Sequence, residues 1–100
     1  MLSRKRDFKR LLFSGKKQLT QNFIFFWEKG EGRLGIITSR KVGKAVIRNR
    51  IRRVTKEAYR YNQNRFEEID MVIVAKKNAT DINLKHCQKN FENFASGISL

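Results

Sequence analysis

Residues 40–59 read Arg40-Lys-Val-Gly-Lys-Ala-Val-Ile-Arg-Asn-Arg-Ile-Arg-Arg-Val-Thr-Lys-Glu-Ala-Tyr59. Within this stretch Ile47, Ile51, Val54, Ala58 and Tyr59 recur at spacings of 4, 3, 4 and 1, the period of one face of an α-helix. The spacing predicts a helix over Ala45–Asn62, preceded by a basic loop, Arg40–Lys44, that contains Gly43. The remaining faces carry charge of nearly one sign. Arg40, Lys41, Lys44, Arg48, Arg50, Arg52, Arg53, Lys56 and Arg60 are opposed only by Glu57. Like charges three and four residues apart on a helix repel one another, so such a face calls for a neutralising partner. Arginine predominates, and its planar fork matches the oxygens of a phosphate.

Working outward, Phe23–Glu28 is a nearly continuous apolar and aromatic run, which predicts a strand. On it Phe23, Phe25 and Trp27 point one way, and Ile24 and Phe26 the other. Lys29–Gly32 reads as a turn and Arg33–Ser39 as a second strand, hairpin-paired with the first. Met71–Ala75 predicts a further buried strand. Ser3–Phe13 predicts a short first helix, with Ser3 as cap, Gly15 after its end, and Phe8, Leu11 and Leu12 on one face. Thr80 or Asp81 can cap a last helix whose stripe is Leu84, Cys87, Phe91, Phe94 and Ile98. The order is helix, two or more strands, helix, strand, helix. It predicts one α+β domain over residues 1–100, an α/β sandwich with a small sheet and a β–α–β crossover through the basic helix. Base rates make such a crossover right-handed.

The chain has 23 Lys plus Arg and 9 Asp plus Glu, and 23 − 9 gives a net charge of +14. Disorder is excluded because 40% of the residues are apolar and they fall in periodic runs. A polyanion is the expected partner, either nucleic acid or an anionic membrane. The apolar stripe of the basic helix is narrow and lacks Trp and Phe, which disfavours insertion in a lipid interface. No apolar stretch approaches the about 20 residues needed to span a bilayer. Basic Met1–Arg10 has no apolar signal segment behind it, and Asp7 speaks against a transit peptide. The single cysteine, Cys87, fits a reducing cytosol, so a cytoplasmic location is expected. Charge alone does not choose between RNA and DNA. An aromatic strand face beside basic residues is a way to stack single-stranded bases, although aromatics more often fill the core.

No self-sufficient active site is expected. His86 is the only histidine and Cys87 the only cysteine, so neither a zinc site nor a nucleophile–histidine–acid triad can be assembled. Gly30-Glu-Gly32 is too short for a phosphate loop. Glu67, Glu68 and Asp70 form one acidic turn, weak grounds for a cation site.

The run Lys-Val-Gly-x-Ala-Val-x-Arg-Asn-Arg-x-Arg-Arg, with Arg48-Asn49-Arg50 at its centre, resembles the signature of the bacterial ribonuclease P protein subunit. Leu2 with Asp7-Phe8 and Gly15 resembles that family's first helix. Phe23–Trp27 resembles its first strand, and Asp70–Lys77 its last. The resemblance implies a ribosomal protein S5 domain 2-like sandwich, with a small mostly antiparallel sheet, about three helices and a left-handed βαβ crossover in place of the right-handed one. It also implies a protein that joins a catalytic RNA, together removing the 5′ leader from precursor tRNA, with magnesium ions held by the RNA. Neither a membrane nor a small-molecule substrate is implied. Lys41, Lys44, Arg48, Asn49, Arg50, Arg52, Arg53, Lys56 and Arg60 would then face RNA, joined by Arg40. Phe8 and Phe26, with Ile24 and Leu12 beside them, would line a leader cleft. Leu12 stands where the family often has an aromatic residue, which implies weaker stacking there. Asn78 stands where the family commonly has proline. The alternative is a general RNA-binding or ribosomal-type protein with no part in catalysis.

Overall fold

The computed structural model describes Leu2 and residues 4–98. Its order is α1 (Lys5–Ser14), β1 (Lys16–Leu19), β2 (Phe23–Lys29), β3 (Leu34–Ile37), α2 (Ala45–Asn62), β4 (Ile69–Ala75) and α3 (Leu84–Gly97). Short 3-10 turns lie at Arg40–Val42, Gln63–Phe66 and Lys77–Ala79. The expected α+β architecture is present: among the described residues, three helices and one four-stranded mixed sheet. Ser3, expected to cap the first helix, lies outside the described residues, and Arg4 occupies the N-cap position.

The strands are ordered β1-β2-β4-β3. Both β1–β2 and β2–β4 are antiparallel, whereas β3–β4 is parallel. The expected hairpin between β2 and β3 is therefore not formed, because β4 lies between them. The reason is burial. Met71, Val72 and Ile73 are all fully buried, so this strand needs a neighbour on each edge and a layer on each face. The crossover β3–α2–β4 supplies the parallel neighbour. Strand β1 was not expected; its sequence Lys-Lys-Gln-Leu is mostly exposed, as suits a charged edge strand.

The pleat divides the apolar residues as the alternation predicts. Phe23, Phe25 and Trp27 face the layer of α2 and α3, while Phe26 faces α1. On the α2–α3 side, Phe25 stacks on Phe94 at 4.2 Å and meets Phe91 edge-on at 5.6 Å. Such pairs add about 0.5–1.5 kcal/mol each beyond area burial. The expected α3 stripe packs into this core, with Cys87, Phe91 and Phe94 fully buried. Its cap is neither Thr80 nor Asp81 but Asn83, whose side chain accepts from the His86 N–H at 2.8 Å. The Thr80 hydroxyl donates instead to the carbonyls of Val42 and Lys77.

A chain of alternating charges fastens α1 to the sheet. Arg10 bridges Glu28 and Asp7, each at 3.1 Å, and Arg33 reaches Asp7 at 3.8 Å and Asp70 at 2.8 Å. Asp70, almost fully buried, also accepts from the backbone N–H groups of Glu31 and Arg33. Burial pushes its carboxyl up, but the hydrogen bonds from Arg33 and Glu31 and the charge of Arg33 outweigh this, and the net direction is down. A folded-state value below the unfolded one gives stability that is present above the unfolded value, about 4, and lost as pH falls through the folded one. Urea unfolding should show stability declining below about pH 4, with a shallower decline in Asp70→Asn. Asp70→Ala should cost about 1–3 kcal/mol at neutral pH, since two backbone donors lose their acceptor.

Candidate nucleic-acid interface

Parallel pairing of β3 and β4 brings the C-terminal ends of both strands to one end of the sheet. The segments that follow them, Arg40–Lys44 and Lys76–Thr80, therefore meet there, and their two 3-10 turns pack together. Gly43 links the first segment to α2 with φ of 145°, a conformation that side chains disfavour. This linkage starts α2 at Ala45, as its periodicity predicts.

Helix α2 buries Ile51, Thr55, Ala58 and Tyr59 and packs on α3. That orientation turns Asn49, Arg53, Lys56 and Arg60 to solvent, with Arg48 and Arg52 half-buried beside them. Arg40, Lys41 and Lys44 are exposed on the preceding loop. The structure thus gathers the basic residues on a continuous face, and the only ion pair within it is Arg60–Glu57 at 3.3 Å, among the described residues. The Nε of Arg48 is buried without an acceptor among the described residues. Arg50 is placed differently: its guanidinium donates to the carbonyls of Ile82 at 2.6 Å and Thr80 at 3.2 Å.

The opposite face of the sheet carries the second candidate surface. Cross-strand register forms one row of Lys17, Phe26, Val72 and Gly35, and a second of Leu19, Ile24, Val74 and Ile37. Helix α1 covers the first row. Leu11 is fully buried there, and Leu2, Phe8, Phe26 and Val72 share its apolar cluster. Phe8 sits over Gly35 so closely that a Cβ there would lie 2.7 Å from its ring. The second row is left partly open: Ile24, Ile37 and Val74 are half-buried and Leu19 is exposed. This open strip beside α1, bordered by half-buried Phe8 and Phe26, is the candidate groove. Leu12, one turn beyond Phe8, is 36% exposed. The Lys17 ammonium stands 5.9 Å from the Phe26 ring centre. Leu19, Ile37, Val74 and Lys17 were not singled out in the sequence, although alternation along Met71–Ala75 already sets Val72 and Val74 apart from Met71 and Ile73.

Among the described residues, neither surface brings a cysteine or histidine together with an acidic partner. Burial pushes the Cys87 thiol up to about 11, partly offset by Thr55 and by the charge of Arg50, so it stays protonated at neutral pH. The acidic turn does not form a donor set, because Asp70 is engaged by Arg33 and Glu31 while Glu67 and Glu68 are exposed. No group of three His, Cys, Asp or Glu side chains suited to a metal ion occurs among the described residues, and no described helix is long and apolar enough to cross a membrane.

The family model described as Ribonuclease P matches residues 1–99. The Ribonuclease P protein component of Dictyoglomus turgidum is 40% identical over 79 residues, 75% of this chain and 66% of that protein, so the match spans just under two-thirds of that relative. That of Clostridioides difficile is 35% identical over 99 residues, covering 92% of this chain and 85% of the relative. Among solved structures, the RNase P protein from Thermotoga maritima superposes with a TM-score of 0.83 at 27% identity, covering 93% of this chain and 92% of that one.

The exposed α2 face makes a prediction that holds for any phosphate polymer. Arg53→Ala should weaken binding and reduce the slope of log affinity against log salt by roughly one unit, as one released counterion is lost. Titrations between low and moderate salt measure it, and an unchanged slope would remove Arg53 from the contact face.

Proposed function

The chain belongs to the ribonuclease P protein family, and on that premise we propose that it is the protein subunit of ribonuclease P. It joins the catalytic RNA, and the two together remove the 5′ leader of precursor tRNA. The outer face of α2, with the loop Arg40–Lys44, holds RNA phosphates; Arg48, Asn49, Arg52, Arg53, Lys56 and Arg60 belong to this set, as does Arg50 by its motif position. The groove between α1 and β2 takes the leader, with Phe8, Leu12, Ile24 and Phe26 against its bases. On this reading magnesium is held by the RNA. The site of action is the cytoplasm.

The observation that carries this reading is a basic helix face almost without counter-charge, on a chain matched to the family from residue 1 to residue 99. Repulsion along that face is relieved by phosphates. The groove supports the division of labour. It is apolar and aromatic, it lies on the far side of the sheet from α2, and it can stack bases without reading a fixed sequence.

The purified protein alone should not cleave precursor tRNA, and adding the catalytic RNA at low magnesium should give cleavage at the 5′ end. Robust 5′ processing by protein alone would overturn the subunit reading. Activity of the RNA unchanged by protein at every magnesium level would favour a general RNA-binding protein. Phe26→Ala should reduce the preference for precursor over mature tRNA by roughly tenfold, the loss of one stacked base. Equal loss for both substrates would return Phe26 to a packing role.

A further inference from the structure

The loop after β4 is pinned on both sides of a single outward cation. Before it, the Lys76 ammonium donates to the Thr20 carbonyl at 2.6 Å. After it, Asn78 donates to the Gln21 carbonyl at 3.0 Å, and the Thr80 hydroxyl to the Val42 carbonyl at 2.8 Å. Arg50 of α2 then spans the carbonyls of Thr80 and Ile82. Lys77 itself is exposed and has no acidic partner among the described residues. Ordering a short loop with this many hydrogen bonds is costly in conformational entropy. A free cation flanked by such bonds is held where its charge is needed.

The position of that charge is informative. Lys77 lies at the strand ends where β3 and β4 finish together, against the Arg40–Val42 turn. The open row Leu19–Ile24–Val74–Ile37 ends on one side, and α2 begins on the other. An RNA strand leaving the groove toward the basic helix would cross this rim.

We infer that Lys77 is a phosphate contact on the rim joining the groove to α2, and that Arg50 is a positioning residue that holds the Lys77 loop rather than a phosphate contact itself. Both terminal nitrogens of Arg50 already donate to protein carbonyls, and a guanidinium so engaged has little left for a bidentate grip on phosphate. The inference rests on RNA being the partner of this face. It differs from that reading in assigning Arg50 and Lys77 one shared contact instead of a single contact at Arg50.

Salt titrations of binding to the catalytic RNA test it through pairs of variants. Lys77→Ala and Arg50→Ala should each reduce the salt slope by roughly one unit, and the double variant by the same single unit. Arg53→Ala combined with Lys77→Ala should lose roughly two units, because those contacts are independent. A loss of two units in the Arg50–Lys77 double variant would make Arg50 a direct contact and overturn the assignment. So would a slope that Lys77→Ala leaves unchanged both with the catalytic RNA alone and with precursor tRNA in the reconstituted complex. If Arg53→Ala also left the slope unchanged, the RNA-facing reading of α2 would fail as well, which separates the two failures. Should Arg50→Ala not fold, Thr80→Val loosens the same loop from its other side, with the same expected and overturning results. If the Lys77→Ala change appears with catalytic RNA alone, the phosphate belongs to that RNA; if it appears only when precursor tRNA joins the reconstituted complex, the phosphate belongs to the leader.

Discussion

Strand β4 has a neighbour on each edge and a helical layer on each face, and the rest of the architecture follows from satisfying it. Its apolar residues point both ways: Met71 and Ile73 toward the α2–α3 layer, Val72 toward α1. A strand of this kind cannot lie at an edge without exposing both apolar surface and unpaired backbone. Inserting it between β2 and β3 covers both. The insertion also forces β3 and β4 parallel, so the chain must cross the sheet between them, and the crossing segment is α2. The basic helix is thus held by the demand of a buried strand as well as by its own packing.

The two surfaces are separated by the sheet, and their chemistries differ accordingly. On one side, α2 spends its apolar stripe on α3 and the sheet, which leaves its charged faces outward. On the other, α1 is too short to cover every row. It is fastened over one row by Leu11, by Phe8 above Gly35, and by the alternating charges from Glu28 to Asp70. The uncovered row becomes the groove.

Local periodicity carried much of this. The bounds of α2 follow from Ile47 to Tyr59, and the two faces of β2 from simple alternation. The exposed edge strand β1 was illegible because Lys16-Lys-Gln-Leu19 has neither apolar content nor alternation, and its pairing comes from the neighbouring Ile24–Trp27 ladder. The hairpin expectation failed because two strands joined by a glycine-containing turn look like neighbours, while the insertion of β4 is a long-range event with no local signature. The cap of α3 was misplaced because Thr80, Asp81 and Asn83 are all competent caps, and the Thr80 hydroxyl is claimed by a carbonyl from another segment. In the candidate site, sequence cannot distinguish an arginine that faces carbonyls from one that faces solvent. Arg50 and Arg53 look alike in the motif and differ only in what α2 is packed beside.

That α2 is the crossover has a consequence for how the protein folds. Pairing β2 with β4 joins segments separated by the whole of β3 and α2 (Phe25 faces Ile73), so the sheet closes only after a long stretch of chain has been ordered. The slow, non-local step therefore contains the segment whose like charges most resist becoming helical. A polyanion that binds the native helix and not the unfolded chain would stabilise the fold by mass action, by about 2.7 kcal/mol at a hundredfold excess over its dissociation constant. Such a partner would act as a folding ligand, linking assembly to folding through one helix.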